Sequence, residues 1–236
     1  MHKLEIEKRF IIDPTSWLAL SERFKIFRQA QLWSGKAWVI IPDFYARIAE
    51  IFNNTESARF RAEADAKLSM INTKQGIKIR VRHILDPYEN TVRAQVTIKE
   101  KLLNQNGYKR YVEYDIDIPA SLALLLIEQI AQWHMVPTIP THGILKHRYI
   151  VAGPDGKLWD IDILQGSNTG VYLGEIEVGD TIESFENPSW AVKDITGLPQ
   201  YKYLGTKELQ EHPASIWTPK ERKLYFEVIA WSRWKK

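Results

Sequence analysis

The chain has 236 residues and a net charge of +3, with 44% hydrophobic and 26% charged residues, an ordinary composition for a globular protein. It contains no cysteine, which excludes disulfides and thiolate metal sites and is typical of the reducing cytoplasm in which we expect it to act. Glu5 and Glu7 interrupt the apolar residues near the N-terminus, and no apolar run is long enough to span a bilayer. We therefore expect neither a signal peptide nor a membrane partner.

Segments that alternate polar and apolar residues recur along the chain, which is the pattern of strands with one buried face. They cover residues 4–12, 76–84, 91–101, 108–118, 144–151, 158–164 and 170–178. Turn-forming residues separate several of them, as at residues 104–107, 153–156 and 165–168. This meander of strands predicts an antiparallel sandwich or barrel.

Helices are predicted between and after the strands. Capping residues and apolar patterning favour helices at residues 13–29, 119–134 and 188–195. Residues 31–72 form a larger aromatic segment that we expect to fold with the strands. No flexible linker divides the chain, so we expect one domain at residues 1–205. The aromatic extension at residues 206–236 is predicted to be helical from Pro219 onward and docked on that domain.

The charged side chains of the strands are sorted by sign. Alternation places Glu5, Glu7 and Arg9 on one face of the first strand, which for one strand alone is more typical of a solvated surface. Later strands repeat the pattern, with shared faces formed by Lys78, Arg80 and Arg82, by Arg93, Thr97 and Lys99, by Lys146 and Arg148, by Asp160 and Asp162, and by Glu175 and Glu177. A face selected for solubility would mix the two signs, and like charges two residues apart repel. A polyphosphate with Mg²⁺ or Mn²⁺ relieves this repulsion, because cations clamp phosphate oxygens while carboxylates hold the metal.

Other common sites are absent from the sequence. There is no HExxH, no G-x-S-x-G and no GxxxxGK[ST] pattern, which argues against a zinc protease, an α/β-hydrolase and a P-loop enzyme. The tryptophans and tyrosines do not interleave with basic residues as in a nucleic-acid platform, so we expect no nucleic-acid partner.

Taken in order, these strands resemble the CYTH family of triphosphate tunnel metalloenzymes, which includes inorganic triphosphatases, thiamine triphosphatases and class IV adenylate cyclases. EIEKRFII resembles the family's E-x-E-x-K strand, with Arg9 where the family has lysine. The later matches are IKIRVRH with L-R-x-R, VTIKEK with L-T-x-K, RYVEYDI with R-x-E-x-E, ILKHRYIV with K-x-R, LWDIDIL with W-x-x-D-x-F, and LGEIEVG with A-E-I-E. PSWAVKDITGLPQY also resembles a family segment, with Trp190, Thr196 and Tyr201 in register and Lys193 where the family has glutamate.

The resemblance implies an α+β fold, a closed antiparallel eight-stranded β-barrel (the triphosphate tunnel) with peripheral helices. The implied phosphate ligands are Arg9, Arg80, Arg82, Lys99, Arg110, Lys146 and Arg148. The implied ligands of Mg²⁺ or Mn²⁺ are Glu5, Glu7, Asp162, Glu175 and Glu177. Glu113 is expected to position the attacking water, and Asp162 and Glu175 are also expected to act in catalysis by helping to hold a second metal.

The leading hypothesis is metal-dependent hydrolysis of a triphosphate, either tripolyphosphate or an organic triphosphate such as ATP or thiamine triphosphate. One alternative is a class IV nucleotidyl cyclase that makes a cyclic nucleotide and pyrophosphate, with residues 31–72 as a source of the base pocket. Another is a non-catalytic binder of a nucleotide or polyphosphate, although anion binding alone does not require five carboxylates. The oligomeric state stays open, with a homodimer as one alternative.

Overall fold

The computed structural model describes residues 2–17, 23–36, 54–70, 76–102, 109–133, 143–178 and 184–234. The strands are β1 His2–Ile12, β2 Phe24–Lys36, β3 Gly76–Asp86, β4 Thr91–Lys101, β5 Lys109–Asp117, β6 Ile144–Ala152, β7 Leu158–Leu164, β8 Tyr172–Val178 and β9 Ala191–Asp194. The α-helices are α1 Asn54–Leu68, α2 Ala120–Trp133, α3 Thr206–Glu211 and α4 Pro219–Trp234. None of the described helices combines the length and the apolar character needed to cross a membrane.

The strands form one closed antiparallel barrel. They are hydrogen-bonded in the order β5-β4-β3-β2-β6-β7-β8-β1, and β1 closes the ring by pairing with β5. The short strand β9 pairs with residues 10–12 of β1, beyond the part of β1 that pairs with β5. This arrangement confirms the predicted α+β fold with a closed eight-stranded barrel and peripheral helices.

Apolar clusters bury the outward-facing side chains of the strands. The first packs β3, β4 and β5 against α1 and α2, and it includes Phe60, Ile79, Val81, Val96, Ile98, Ile116, Leu122 and Leu126. A second, aromatic cluster contains Phe10, Trp17, Trp159 and Trp190. Because side chains alternate along a strand, this burial of the outer face turns the charged residues of the same strands toward the barrel interior.

The C-terminal residues pack on the barrel through α4. Its Tyr225 is fully buried, accepts a hydrogen bond from the backbone N–H of Tyr172 at 2.6 Å and lies 5.6 Å from the Trp217 ring. The helix starts with a capping box, since the N–H and hydroxyl of Thr218 donate to the Glu221 carboxylate at 2.8 and 2.7 Å. Burial of Tyr225 therefore ties α4 to the start of β8.

Two predicted helices are wrong, and one is confirmed. The helix predicted at residues 13–29 is replaced by a turn, in which Asp13 accepts hydrogen bonds from the N–H and hydroxyl of Thr15, and by β2 from Phe24 onward. Residues 188–195 form a turn and β9, whereas α2 confirms the helix predicted at 119–134. Within the segment 31–72, residues 31–36 continue β2 and α1 follows, while residues 37–53 and 71–72 lie outside the described part of the chain.

Two glycines have a left-handed backbone, and replacing each by alanine tests how closely the chain is packed around it. Gly143 (φ +72°) precedes β6, and a Cβ there would lie 2.6 Å from the Gln29 carbonyl oxygen; Gly156 (φ +76°) has no atom within 4 Å of the equivalent position. Gly156→Ala should therefore lower the free energy of unfolding by about 1 kcal/mol, through backbone strain alone. Gly143→Ala should lower it by about 3 kcal/mol, because the clash adds to the strain. Urea unfolding of both variants tests this, and equal losses would contradict it.

Candidate active site

Charged side chains surround a cavity of about 660 Å³ inside the barrel. The strands contribute Glu7, Arg9, Lys78, Arg80, Arg82, Lys99, Lys101, Lys109, Tyr111, Glu113, Asp115, Arg148, Glu175 and Glu177. Residues 195–208 cover one side and add Tyr201, Lys202, Lys207 and Glu208. Of the described lining residues, ten are cationic and six acidic, so the cavity attracts anions.

Arg148 forms the centre of a buried ion-pair network. Its guanidinium donates to both carboxylate oxygens of Asp162 at 2.7 Å, and it also binds Asp160 and, at 3.1 Å, Glu175. Lys146 binds the same Asp162 at 2.5 Å. Burial opposes ionisation of Asp162, but Arg148 and Lys146 outweigh it and lower the pKa of the carboxyl below its usual range. Burial and the neighbouring Arg148 lower the pKa of Lys146 to about 8.

Arg9 is a basic residue of β1 that faces the cavity. Its Nε donates to Glu175 at 2.8 Å, and its backbone N–H donates to the Thr196 hydroxyl at 2.9 Å. Its neighbour Lys8 faces the other way and pairs with Asp194 at 3.0 Å. Despite its burial, Glu175 has a pKa well below the usual range, because Arg9 and Arg148 stabilise its charge. Alternation therefore places a planar guanidinium where the family motif has a lysine.

The wall formed by β3, β4 and β5 carries more cations than acids. Glu113 is buried, forms an ion pair with Lys99 and lies 3.5 Å from Arg80. The Nε of Arg82 is buried and has no hydrogen-bond partner among the described residues. Burial and the neighbouring Arg9 lower the pKa of Lys109 to about 8, and the same two causes lower the pKa of Lys78. This crowding of positive charge is what a bound anion would relieve.

Acidic side chains suited to a metal face the cavity at the seam between β1 and β8. Glu7 and Glu177 are register partners across that seam and both line the cavity. The backbone of Glu5 lies in β1 opposite Tyr111, and its side chain is outside the described residues. The described side chains contain no group of three or more histidines and acids arranged to hold a metal ion. Mg²⁺ in phosphate-processing sites is bound by one or two carboxylates plus phosphate oxygens, so the Glu7–Glu177 pair fits it.

Most predicted site residues meet in one place. Arg9, Arg80, Arg82, Lys99, Arg148, Glu7, Glu113, Glu175 and Glu177 line the main cavity. Lys146 and Asp162 line a small adjoining space of about 30 Å³, which shares Arg9, Arg80 and Glu175 with a wall of the main one. Arg110 is not among the residues that line the cavity. On β5 it lies between Lys109 and Tyr111, and the side chains of these two neighbours line the cavity. The side chain of Arg110 therefore starts from the opposite face of the strand.

Several lining residues were not assigned to the site from the sequence. They are Lys78, Lys101, Lys109, Tyr111, Lys202 and Lys207. The sequence places Lys78 on the face of Arg80 and Arg82 without assigning it a role. The same period-two alternation identifies three more, because Lys101 shares a face with Lys99, and Lys109 and Tyr111 share one with Glu113. Lys202 and Lys207 have no such signal, since they lie in the 3₁₀-helix Pro199–Leu204 and in α3.

The chain is similar to proteins described as inorganic triphosphatases. One from Acetivibrio thermocellus is 25% identical over 146 residues, which cover 61% of this chain and 86% of that protein. Another from Nitrosomonas europaea is 26% identical over 141 residues, covering 58% of this chain and 85% of that protein. No family model matches the chain. The resemblance to the triphosphate tunnel metalloenzyme family is confirmed.

Two solved structures show partial similarity to the chain. An inorganic triphosphatase structure matches at 19% identity and a TM-score of 0.42, covering 91% of this chain and 96% of that one. A Hippeastrum protein described as an adenylyl cyclase with a dominant triphosphatase activity matches at 12% identity and a TM-score of 0.38, covering 74% and 79%. These low TM-scores carry no argument about the fold, which is described directly by the strand order and register.

Removing the Arg148 side chain should make the barrel less stable, because three carboxylates would lose their shared partner. Arg148→Gln should lower the free energy of unfolding by about 3 kcal/mol, the usual cost of breaking a buried ion pair. Lys223 on α4 is the matched control, since it forms an exposed pair with Glu227 at 3.7 Å. Lys223→Gln should cost no more than about 0.5 kcal/mol. Urea unfolding followed by tryptophan fluorescence compares them, and similar losses would show that the network does not support the barrel.

Proposed function

We propose that this chain hydrolyses a phosphoanhydride bond of a triphosphate inside the barrel, with Mg²⁺ or Mn²⁺ as cofactor. The observation that carries the proposal is that one cavity combines the cation-rich β3–β4 wall with the carboxylates of Glu7 and Glu177. A triphosphate with a bound divalent metal is complementary to both walls at once. The similarity to proteins described as inorganic triphosphatases supports the same activity.

The cations have two roles in this proposal. Arg80, Arg82 and Lys99 bind the phosphoryl oxygens, where the planar fork of an arginine can hold two oxygens at once. Arg9 and Arg148 are already fixed by carboxylates, so they offset the charge that develops on the phosphates without rearranging during the reaction. Asp162 and Glu175 thus act mainly by holding these cations in position.

The carboxylates of Glu7 and Glu177 would hold the metal, and the sequence adds Glu5 as a third ligand. When bound, the metal ion supplies charge neutralisation of the phosphates and lowers the pKa of a coordinated water. Glu113 is the candidate to orient the attacking water. Its carboxylate lies between Lys99 and Arg80, where the phosphoryl group that these cations bind would be within reach.

Phosphate release from tripolyphosphate tests the proposal. The purified protein with Mg²⁺ or Mn²⁺ should form orthophosphate and pyrophosphate, and chelation by EDTA should stop the reaction. Glu7→Gln and Glu177→Gln should each lower kcat by about 100-fold or more, because each removes a metal-binding oxygen. Mn²⁺ affinity, measured by electron paramagnetic resonance, should fall in the same variants.

The control is Glu227→Gln, which removes an exposed carboxylate on α4 and should leave both kcat and Mn²⁺ affinity unchanged. The same assay with ATP and thiamine triphosphate identifies the preferred organic group. Cyclic nucleotide and pyrophosphate from ATP, without hydrolysis of tripolyphosphate, would contradict hydrolysis and establish a cyclase. Full activity in Glu7→Gln would contradict the metal-binding role of this carboxylate.

A further inference from the structure

The solvent-exposed side of α4 carries two tryptophans. Trp234 is 90% exposed and Trp231 is 63% exposed, whereas Trp17 and Trp159 are fully buried. Side chains three residues apart on a helix are neighbours, and each indole has on the order of 200 Å² of surface. The pair therefore forms an apolar patch of a few hundred square ångströms. A patch of that size matches the largest one on a typical monomer, and such patches are often functional.

The opposite side of α4 packs on the barrel. Tyr225 and Ile229 are buried, and Arg233 lies 3.4 Å from the carboxylate of the buried Asp13. The two exposed tryptophans therefore lie on the side of the helix where a docked amphipathic helix normally carries polar residues. A single exposed apolar side chain is ordinary and needs no partner. Two adjacent indoles on the polar side are not explained by packing against the barrel.

Positive charge accompanies the tryptophans. The exposed side of the helix runs at spacings of three and four residues from Lys220 through Lys223 and Glu227 to Trp231 and Trp234. Its acid is paired with Lys223 at 3.7 Å. Residues 219–236 contain six lysines and arginines and two glutamates, a net charge of +4 in a chain whose total is +3. The net positive charge of the protein is therefore concentrated in this segment.

Indoles next to cations fit a bilayer surface that contains anionic lipids. Tryptophan prefers the boundary between headgroups and acyl chains, because its ring is largely apolar and its N–H is a hydrogen-bond donor. Lysines close to such a surface are attracted by the anionic headgroups. A second copy of the same surface would bring like charges together. Single-stranded nucleic acid binds along basic grooves, whereas these indoles lie on the outer side of a helix.

We propose that α4 binds the surface of a membrane that contains anionic lipids, with Trp231 and Trp234 inserted at the level of the headgroups and Lys220 and Lys223 in contact with anionic headgroups. The expectation of no membrane partner rests on the lack of a spanning segment, and a helix that lies in the plane of the surface needs none. Lys220 and Trp234 are about 21 Å apart along the helix axis, so one flat surface can contact both ends. None of these four residues lines the cavity, so the binding is separate from the reaction in the barrel.

Flotation of the full chain with lipid vesicles tests the proposal. The protein should float with vesicles of phosphatidylcholine and phosphatidylglycerol in equal amounts but not with phosphatidylcholine alone. High salt should release it, because salt screens the headgroup charge. Trp231→Ala/Trp234→Ala should weaken binding about 10-fold or more through loss of the inserted rings. Lys220→Gln/Lys223→Gln should weaken it by about the same factor through loss of two charges.

Two variants that make the same kinds of change elsewhere are the controls. Leu158→Ala removes an apolar side chain that is 62% exposed on β7, and Arg23→Gln removes the cation of an exposed pair with Glu89. Neither should change vesicle binding. The tryptophan double variant should hydrolyse tripolyphosphate in solution as fast as the unaltered protein. Failure of the membrane proposal and failure of the proposed function are therefore observed separately.

Quenching of tryptophan fluorescence by brominated lipids measures whether the indoles enter the bilayer, and the tryptophan double variant should lose this quenching. Absence of binding to the anionic vesicles would overturn the proposal, and so would equal binding by the tryptophan double variant. Two further results would also overturn it, if vesicles are not bound. One is a dimer in sedimentation that the tryptophan double variant does not form, and the other is binding of a single-stranded oligonucleotide that the same variant loses.

Discussion

The guanidinium of Arg148, shared by Asp160, Asp162 and Glu175, is the interaction on which the rest of the interior depends. The outer faces of the strands are largely buried under apolar clusters, so the charged residues that alternate with these apolar side chains lie inside the barrel. A buried charge without a partner is costly, and a closed barrel offers only ion pairs, water or a ligand as partners. The network around Arg148 satisfies this constraint on the β6–β8 side, with Arg9 and Lys146 bound to the same carboxylates.

The β3–β5 side does not reach the same balance. Glu113 lies between Lys99 and Arg80, and further positive charge on the same wall comes from Lys78, Arg82, Lys101 and Lys109. The interior is thus divided into a half in which cations and carboxylates are paired and a cation-rich half whose charge an anion would balance. Glu7 and Glu177 lie at the β1–β8 seam, which puts carboxylate oxygens suited to a metal in the same cavity as the cation-rich wall. In the proposed function, selectivity for phosphates follows from this excess of positive charge, which exists without ligand.

Alternation of side chains is a purely local property, so the sequence predicted an antiparallel sandwich or barrel and most of the charged lining, and the family resemblance implied the closed barrel. Placing Arg9 inside required only that Glu7 and Arg9 share a face, and the structure shows Lys8 outside, bound to Asp194. The same rule argues against Arg110, which lies three residues before Glu113 and so cannot share its face in a regular strand. The R-x-E-x-E pattern itself has its first residue two before the glutamate, at the position of Tyr111, so the match to Arg110 is out of register by one residue. Tyr111 has the correct parity and lines the cavity.

Other features depend on contacts that local patterns do not encode. The sequence predicts the start of a helix at residues 13–15. In the structure Asp13 instead forms a turn with Thr15, and β2 begins at Phe24. The strand was hidden because β2 does not alternate cleanly: Phe27 lies among the interior cations, whereas Arg28 is exposed on the opposite face. Residues 195–208 enter the cavity wall only through tertiary packing, since the Thr196 hydroxyl accepts the N–H of Arg9 from the far end of the chain.

The central claim is that the barrel interior binds a triphosphate between a preorganised ion-pair network and a cation-rich wall. A crystal structure of the metal-free protein with tripolyphosphate tests this most directly. The account predicts phosphoryl oxygens within hydrogen-bonding distance of Arg80, Arg82 and Lys99, with the Arg148–Asp162 bonds retained. Tripolyphosphate bound outside the barrel, or an Arg148 that leaves Asp162 to reach the ligand, would contradict it.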